Sequence, residues 1–145
     1  MTLAVLILIV AAGAMAYIRL APVNPSVWHM PLDPRPQGMT TLSPAKVTAL
    51  PDGAYADLTA APDQTQALLA KLDGIALATP RTIRIAGSAE TGRITWQTRS
   101  AFWGFPDFTT AESTPEGVTL YARQRFGKGD WGVNAARLMA WISKH

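Results

Sequence analysis

The N-terminal segment is apolar and uncharged from Thr2 to Ile18, and Arg19 is the first charged residue. At about 1.5 Å of rise per residue, a helix over this run is roughly 25 Å long. Two further apolar residues extend it toward the roughly 30 Å of a bilayer's hydrocarbon core. The length and composition therefore predict a single transmembrane anchor helix over residues 1–22.

A cleaved signal peptide is the main alternative, because Ala14-Met15-Ala16 has the small-x-small pattern that signal peptidase favours. The absence of Lys and Arg before the apolar run argues against it. A positive-inside count on Arg19 would leave the C-terminal domain in the cytoplasm, whereas a short N-terminal apolar segment usually exports the domain attached to it. We expect a single-pass protein of a bacterial inner membrane with its domain in the periplasm, and the cytoplasmic side stays open.

Small residues on the predicted anchor offer a surface for another helix. Gly13, Ala14 and Ala16 would let a neighbouring transmembrane helix approach closely, although such residues are also common in these helices. Arg19 and Trp28 suit the membrane interface, where cations and indole rings prefer the headgroup region. A second interpretation of Trp28 is a staple that packs the proline-rich part of the chain onto the domain.

Prolines dominate the next part of the chain. Seven of the eleven prolines lie between Pro22 and Pro51. Each fixes its own φ angle and biases the preceding residue away from helix. This composition predicts an extended, semi-rigid strap over residues 23–51.

Residues 52–145 are predicted to form one compact domain. A helix is expected from Pro62 to Gly74, and a last helix begins after Asp130 and carries Leu138 and Trp141 on one stripe. Between them lie four strand-like runs joined by short turns, over residues 81–86, 93–100, 108–113 and 118–126. Short sequential connections favour an antiparallel meander. The prediction is an α+β fold, a two-layer sandwich of a mainly antiparallel sheet with two helices on one face.

Alternation along two of these strands gives the sheet a polar face rich in arginine. That face and the aromatic turn after it form a candidate surface for a partner or an anion, consisting of Arg93, Arg99, Arg123, Arg125, Trp103, Phe105 and Asp107. By default we expect solvent to cover the face and the turn's rings to fold back into the core, so the partner surface is the competing interpretation. A charged cluster of Arg99, Arg123 and Arg137 with Asp107, Asp130 and Asn134 is also plausible.

Composition excludes several functional classes. A net charge of +3 is too small to indicate a nucleic-acid partner. The two histidines, His29 and His145, and the lack of cysteine argue against a serine triad, a metal site and a bound cofactor. No catalytic set is visible, so we expect no enzymatic activity.

The second half of the chain resembles the uncharacterised, membrane-associated DUF1499 family (domain of unknown function 1499) of bacteria and plastids. The residues that carry the resemblance are Thr79-Pro80-Arg81, Thr98-Arg99-Ser100, the turn Phe102-Trp103-Gly104-Phe105-Pro106-Asp107, and Asp130-Trp131-Gly132-Val133-Asn134 with Arg137. The resemblance implies a consistent domain but no known activity.

The sequence therefore favours a non-enzymatic, membrane-anchored accessory or assembly subunit. Its expected partners are membrane lipid and the other subunits of a respiratory or photosynthetic complex. The alternative is a binding module that holds an anionic small molecule or a lipid headgroup on the arginine-rich face.

Overall fold

The computed structural model describes residues 2–36, 38–39 and 46–145. The first residue of the predicted anchor, and positions 37 and 40–45 of the predicted strap, lie outside the described residues. Helix α1, Leu3–Leu20, has 18 residues and a mean hydropathy of 2.3, and none of its residues is buried. By length and composition it is able to cross a membrane, and a signal sequence would satisfy the same criteria.

The domain is built on a six-stranded antiparallel sheet with the strand order β1-β2-β6-β5-β4-β3. The strands are β1 Thr48–Leu50, β2 Gly53–Thr59, β3 Thr82–Ser88, β4 Arg93–Arg99, β5 Pro106–Thr114 and β6 Gly117–Gln124. The last four form the predicted meander of hairpins. The first two were not predicted, and β2 pairs with β6 over its whole length.

Two helices cover one face of the sheet, as predicted. A 3-10 turn, Pro62–Gln64, leads into α3, Thr65–Leu77, and α4 spans Val133–Ile142. The tryptophans Trp96 of β4 and Trp141 of α4 are fully buried and meet edge to face, with 5.5 Å between ring centroids. Each indole N–H reaches a partner, Asp73 Oδ1 at 2.8 Å for Trp96 and Thr79 Oγ1 at 2.9 Å for Trp141. These contacts place the core between the helices and the sheet, and the α+β fold is confirmed.

The other face of the sheet is covered by the chain itself. A short helix, α2 (Pro25–Trp28), and the residues after it fold back across the strands. We call residues 24–36 the covering segment. The predicted strap therefore includes a packed layer at its start and the strand β1 at its end, and the sheet begins at Thr48 rather than after residue 51.

Candidate functional site

The arginine-rich face lies beneath the covering segment. The Trp28 ring stacks on Phe108 with 3.9 Å between centroids and 15° between planes. Arg123 donates to the Trp28 carbonyl and places its guanidinium 5.4 Å from the centre of the same ring. Burial lowers the pKa of Arg123. Of the two interpretations of Trp28, the structure shows the packing contact.

Arg93 has its partners within the same layer. It forms an ion pair with Glu112 across β4 and β5, at 2.7 Å, and Glu112 also accepts from the backbone N–H of Leu32. Arg93 Nε donates to His29 Nε2 at 3.4 Å, so the proton of the neutral imidazole sits on Nδ1, which lies 2.9 Å from Thr95 Oγ1. Burial and then the charge of Arg93 lower the pKa of His29. Arg93 and Arg123 thus hold the covering segment down, an arrangement that strand alternation alone does not reveal.

Arg99 and Arg125 meet the end of α1 instead. Arg99 Nη1 donates to the carbonyl oxygens of Gly104, at 2.9 Å, and Ile18, at 3.4 Å. Arg125 Nη1 donates to the Pro22 carbonyl at 2.9 Å. The two candidate arginines are therefore brought together where the helix joins the domain.

The aromatic turn, residues 100–105, completes this junction. Arg19 Nη2 donates to the Phe102 carbonyl at 2.6 Å, and the Tyr17 and Phe126 rings meet edge to face at 6.3 Å. Gly104 adopts a φ of +75°, and a Cβ there would lie 2.8 Å from Arg19 Cγ. A residue without a side chain is thus needed under Arg19 for the two parts to approach so closely.

The rings of the turn are divided between the surface and the junction. Phe102 is 68% exposed and Trp103 is 45% exposed, whereas Phe105 is half-buried and its ring centroid lies 6.4 Å from that of Phe126. A further tryptophan, Trp131, is 99% exposed although its φ of +55° is unfavourable for a side chain with a Cβ. The sequence left both exposed and inward-folded rings open for the turn, and it did not single out Trp131.

Arg19, Arg81 and Arg99 line an open depression of about 350 Å³ beside the junction, together with Gln97 and the start of the aromatic turn. Arg81 Nε donates to the Arg99 carbonyl at 3.1 Å. Gln97, with its amide oxygen facing the guanidinium, accepts from Arg99 Nε at 2.6 Å and Nη2 at 3.0 Å. We call Arg19, Arg81 and Arg99 the exit cluster.

Asp107 lies on the opposite face of the sheet and belongs to a different cluster. It forms an ion pair with Arg137 of α4 at 3.0 Å, and Asn134 Oδ1 accepts from the same guanidinium at 2.5 Å. Asp130 caps the start of the helix by accepting from the backbone N–H groups of Gly132 and Asn134. Burial raises the pKa of Asp107, and Arg137 opposes that shift. The predicted charged cluster thus forms without Arg99 and Arg123.

The small residues of α1 face outward. Gly13 has no atom within 4 Å of the position of a Cβ, and Ala14 and Ala16 are exposed. Across the described parts of the chain, no group of three His, Cys, Asp or Glu side chains is arranged to hold a metal ion.

A family model of DUF1499, described as a protein of unknown function, matches residues 32–144 of the chain. No curated protein and no solved structure matches the chain. The match extends from the covering segment to the end of α4 and does not include α1.

Proposed function

We propose that this chain, which belongs to the DUF1499 family, is a membrane-anchored accessory or assembly subunit without enzymatic activity. In this proposal α1 crosses the inner membrane of a bacterium, and the domain docks onto a larger complex from the periplasmic side. A respiratory or photosynthetic assembly is the proposed host.

The observation that carries the proposal is the joint between α1 and the domain. Tyr17, Ile18, Arg19 and Pro22 all contact the domain, through one ring pair and three hydrogen bonds from arginine side chains. A protein that only needs a tether can use a loose linker between helix and domain. A bonded joint fixes the orientation of the domain relative to the helix, which is what simultaneous docking in the membrane and above it requires.

Two surfaces remain available for that docking. The small-residue side of α1 is exposed, and small residues are typical of contacts between transmembrane helices. On the domain, Trp131 exposes almost its entire ring, and large exposed aromatic residues are enriched at protein interfaces.

The structural use of the polar side chains supports a role without catalysis. Asp107 and Glu112 each form an ion pair, and His29 is bonded between Thr95 and Arg93. These carboxylates and this imidazole are the groups that acid–base chemistry would need. Their hydrogen-bonding capacity is directed at neighbouring elements of the fold.

The test is site-specific photo-crosslinking of the full-length protein in its native membrane, combined with native gel electrophoresis after mild extraction. A crosslinker at Ala14 is expected to capture one defined membrane protein, which also co-migrates on the gel. The matched control is a crosslinker at Leu8, which at 100° per residue points about 120° away from Ala14 around the helix axis. A protein that migrates alone and gives no protein adduct from Ala14 would refute the proposal.

A further inference from the structure

We propose that the exit cluster binds the phosphate of an anionic phospholipid headgroup, in the depression lined by Arg19, Arg81, Arg99 and Gln97. This inference rests on the membrane-spanning α1 of the proposed function. It does not depend on the presence of partner subunits.

The first argument is unbalanced charge. The four ion pairs of the described residues use Arg35, Arg84, Arg93 and Arg137, and none involves the exit cluster. The hydrogen bonds of the cluster go instead to neutral oxygens of the backbone and of Gln97. Burial lowers the pKa of Arg99, and the positive charges of Arg125 and Arg19 lower it further. A bound anion would offset this crowding of like charges.

The second argument is the supply of hydrogen-bond donors. The guanidinium of Arg99 already donates hydrogen bonds to Gly104, Ile18 and Gln97, so Arg99 shapes the site more than it offers donors to a ligand. Arg19 and Arg81 are exposed, and each makes one hydrogen bond to a carbonyl oxygen. A guanidinium carries five N–H groups, so both side chains retain donors for phosphate oxygens.

Arg81 also occupies an unfavourable backbone conformation. Its φ is +60°, in the left-handed region that non-glycine residues rarely adopt. Its Nε bond to the Arg99 carbonyl fixes the side chain in this position beside the depression. Backbone strain of this kind is common where a side chain must be presented to a ligand.

The third argument is depth, which favours a lipid over a soluble phosphate. Arg19 is the first charged residue after the apolar run, so in a spanning helix it lies at the level of the lipid phosphates. Phe102 and Trp103 extend from the turn that binds Arg19, and exposed aromatic rings prefer the same layer. The depression is thus open to solvent at the depth of the lipid headgroups.

The charges at the two ends of the sheet bear on which end of the domain faces the membrane. The loops near the end of α1 add the cations Arg125 and Lys128, which lie just beyond β6, and one exposed carboxylate, Asp52, in the turn before β2. The turns at the opposite end of the sheet carry the carboxylates Glu90 and Glu116. An anionic membrane surface would attract the first end and repel the second.

The experiment measures lipid binding to the detergent-purified full-length protein by native mass spectrometry. The probes are short-chain phosphatidylglycerol, short-chain phosphatidylcholine and inorganic phosphate. The test variant is the double substitution Arg19→Gln with Arg81→Gln. The charge-matched control is Lys71→Gln with Arg84→Gln, which removes two cations on and beside α3, away from the depression.

We expect phosphatidylglycerol to bind the native protein more tightly than phosphatidylcholine. Losing two charge-assisted contacts should weaken phosphatidylglycerol binding by at least about tenfold, and the control should change it by less than about twofold. Equal binding of the two lipids, or an unchanged affinity in the test variant, would overturn the inference. Inorganic phosphate binding as tightly as phosphatidylglycerol would overturn the lipid assignment in favour of a soluble anion. A defined partner at Ala14 with no lipid preference would refute this inference alone, leaving the accessory role standing.

Discussion

Replacing Trp28 with alanine tests whether the covering segment is part of the folded domain. The ring stacks on Phe108 and lies under the guanidinium of Arg123. If these contacts hold the segment on the sheet, Trp28→Ala should lower the free energy of unfolding substantially. If the segment is only a spacer, the substitution should have almost no effect.

The expected magnitude can be worked out from the area of the ring. A packed tryptophan buries about 150–250 Å², and since Trp28 is only partly buried we use the lower value. At about 25 cal/mol per Å² this corresponds to roughly 4 kcal/mol. A compact unfolded state reduces the value to about 3 kcal/mol, which agrees with the range of about 3–5 kcal/mol for Trp→Ala substitutions in cores.

Trp131→Ala is the matched control, because the same atoms are removed from a ring that is 99% exposed. It should change the free energy of unfolding by less than about 0.5 kcal/mol. Pulse proteolysis of the full-length protein in mild detergent, across a urea series, measures both variants in one assay. A loss below about 0.5 kcal/mol for Trp28→Ala would refute the packed segment and would reopen the arginine-rich face as an accessible surface.

Three further predictions concern single contacts. The pKa of His29 is held below its unfolded value of 6.5. The unfolded state therefore binds a proton more readily than the folded state below about pH 6.5, and the free energy of unfolding should fall between about pH 7 and pH 5. In His29→Gln this fall should be less steep. Asp107→Asn leaves the largely buried Arg137 without its carboxylate and should lower the free energy of unfolding in urea by about 3 kcal/mol. Arg84→Gln, at a more exposed ion pair, should lower it by less than about 1 kcal/mol. Gly104→Ala places a Cβ against Arg19 and should speed tryptic cleavage after that arginine without altering the far-ultraviolet circular dichroism of the domain. An unchanged cleavage rate would contradict the close approach at this position.

Period-two alternation predicted the sheet faces well, since it depends only on local geometry. It placed Arg93 and Arg99 on one face and Trp96 on the other, as the structure does. The cover of the polar face depends on contacts across more than sixty positions, such as His29 with Thr95. A proline-rich segment has no periodicity from which such a contact can be predicted.

Strand β2 escaped prediction for a different reason. Its sequence, GAYADLT, contains two alanines and a glycine in place of the β-branched residues that usually indicate a strand. In the structure Ala54 and Ala56 are fully buried on the face that α4 covers. Small residues there leave room for the helix, so tertiary packing outweighs the weak local propensity.

The exit cluster shows how little the sequence reveals about a site formed at a junction between two parts of the chain. Arg19 and Arg99 are eighty positions apart, and both were identified from separate patterns, one as an interface residue and one as part of a sheet face. Their proximity depends on the path of the chain after α1 and on the tight turn at Gly104. Neither feature has a periodic signal in the sequence.

The joint between α1 and the domain has a mechanical consequence in a bilayer. At about 1.5 Å per residue, the 18 residues of α1 measure about 27 Å, slightly less than the roughly 30 Å of an average hydrocarbon core. A helix this short has little freedom to tilt. If α1 spans the membrane as proposed, this mismatch could not be relieved by extending a linker, because Arg19 and Pro22 are bonded to the domain, and the domain would be drawn down against the bilayer. Membrane thickness would then set how deeply Phe102 and Trp103 are inserted, which would make the protein sensitive to the lipid composition around it.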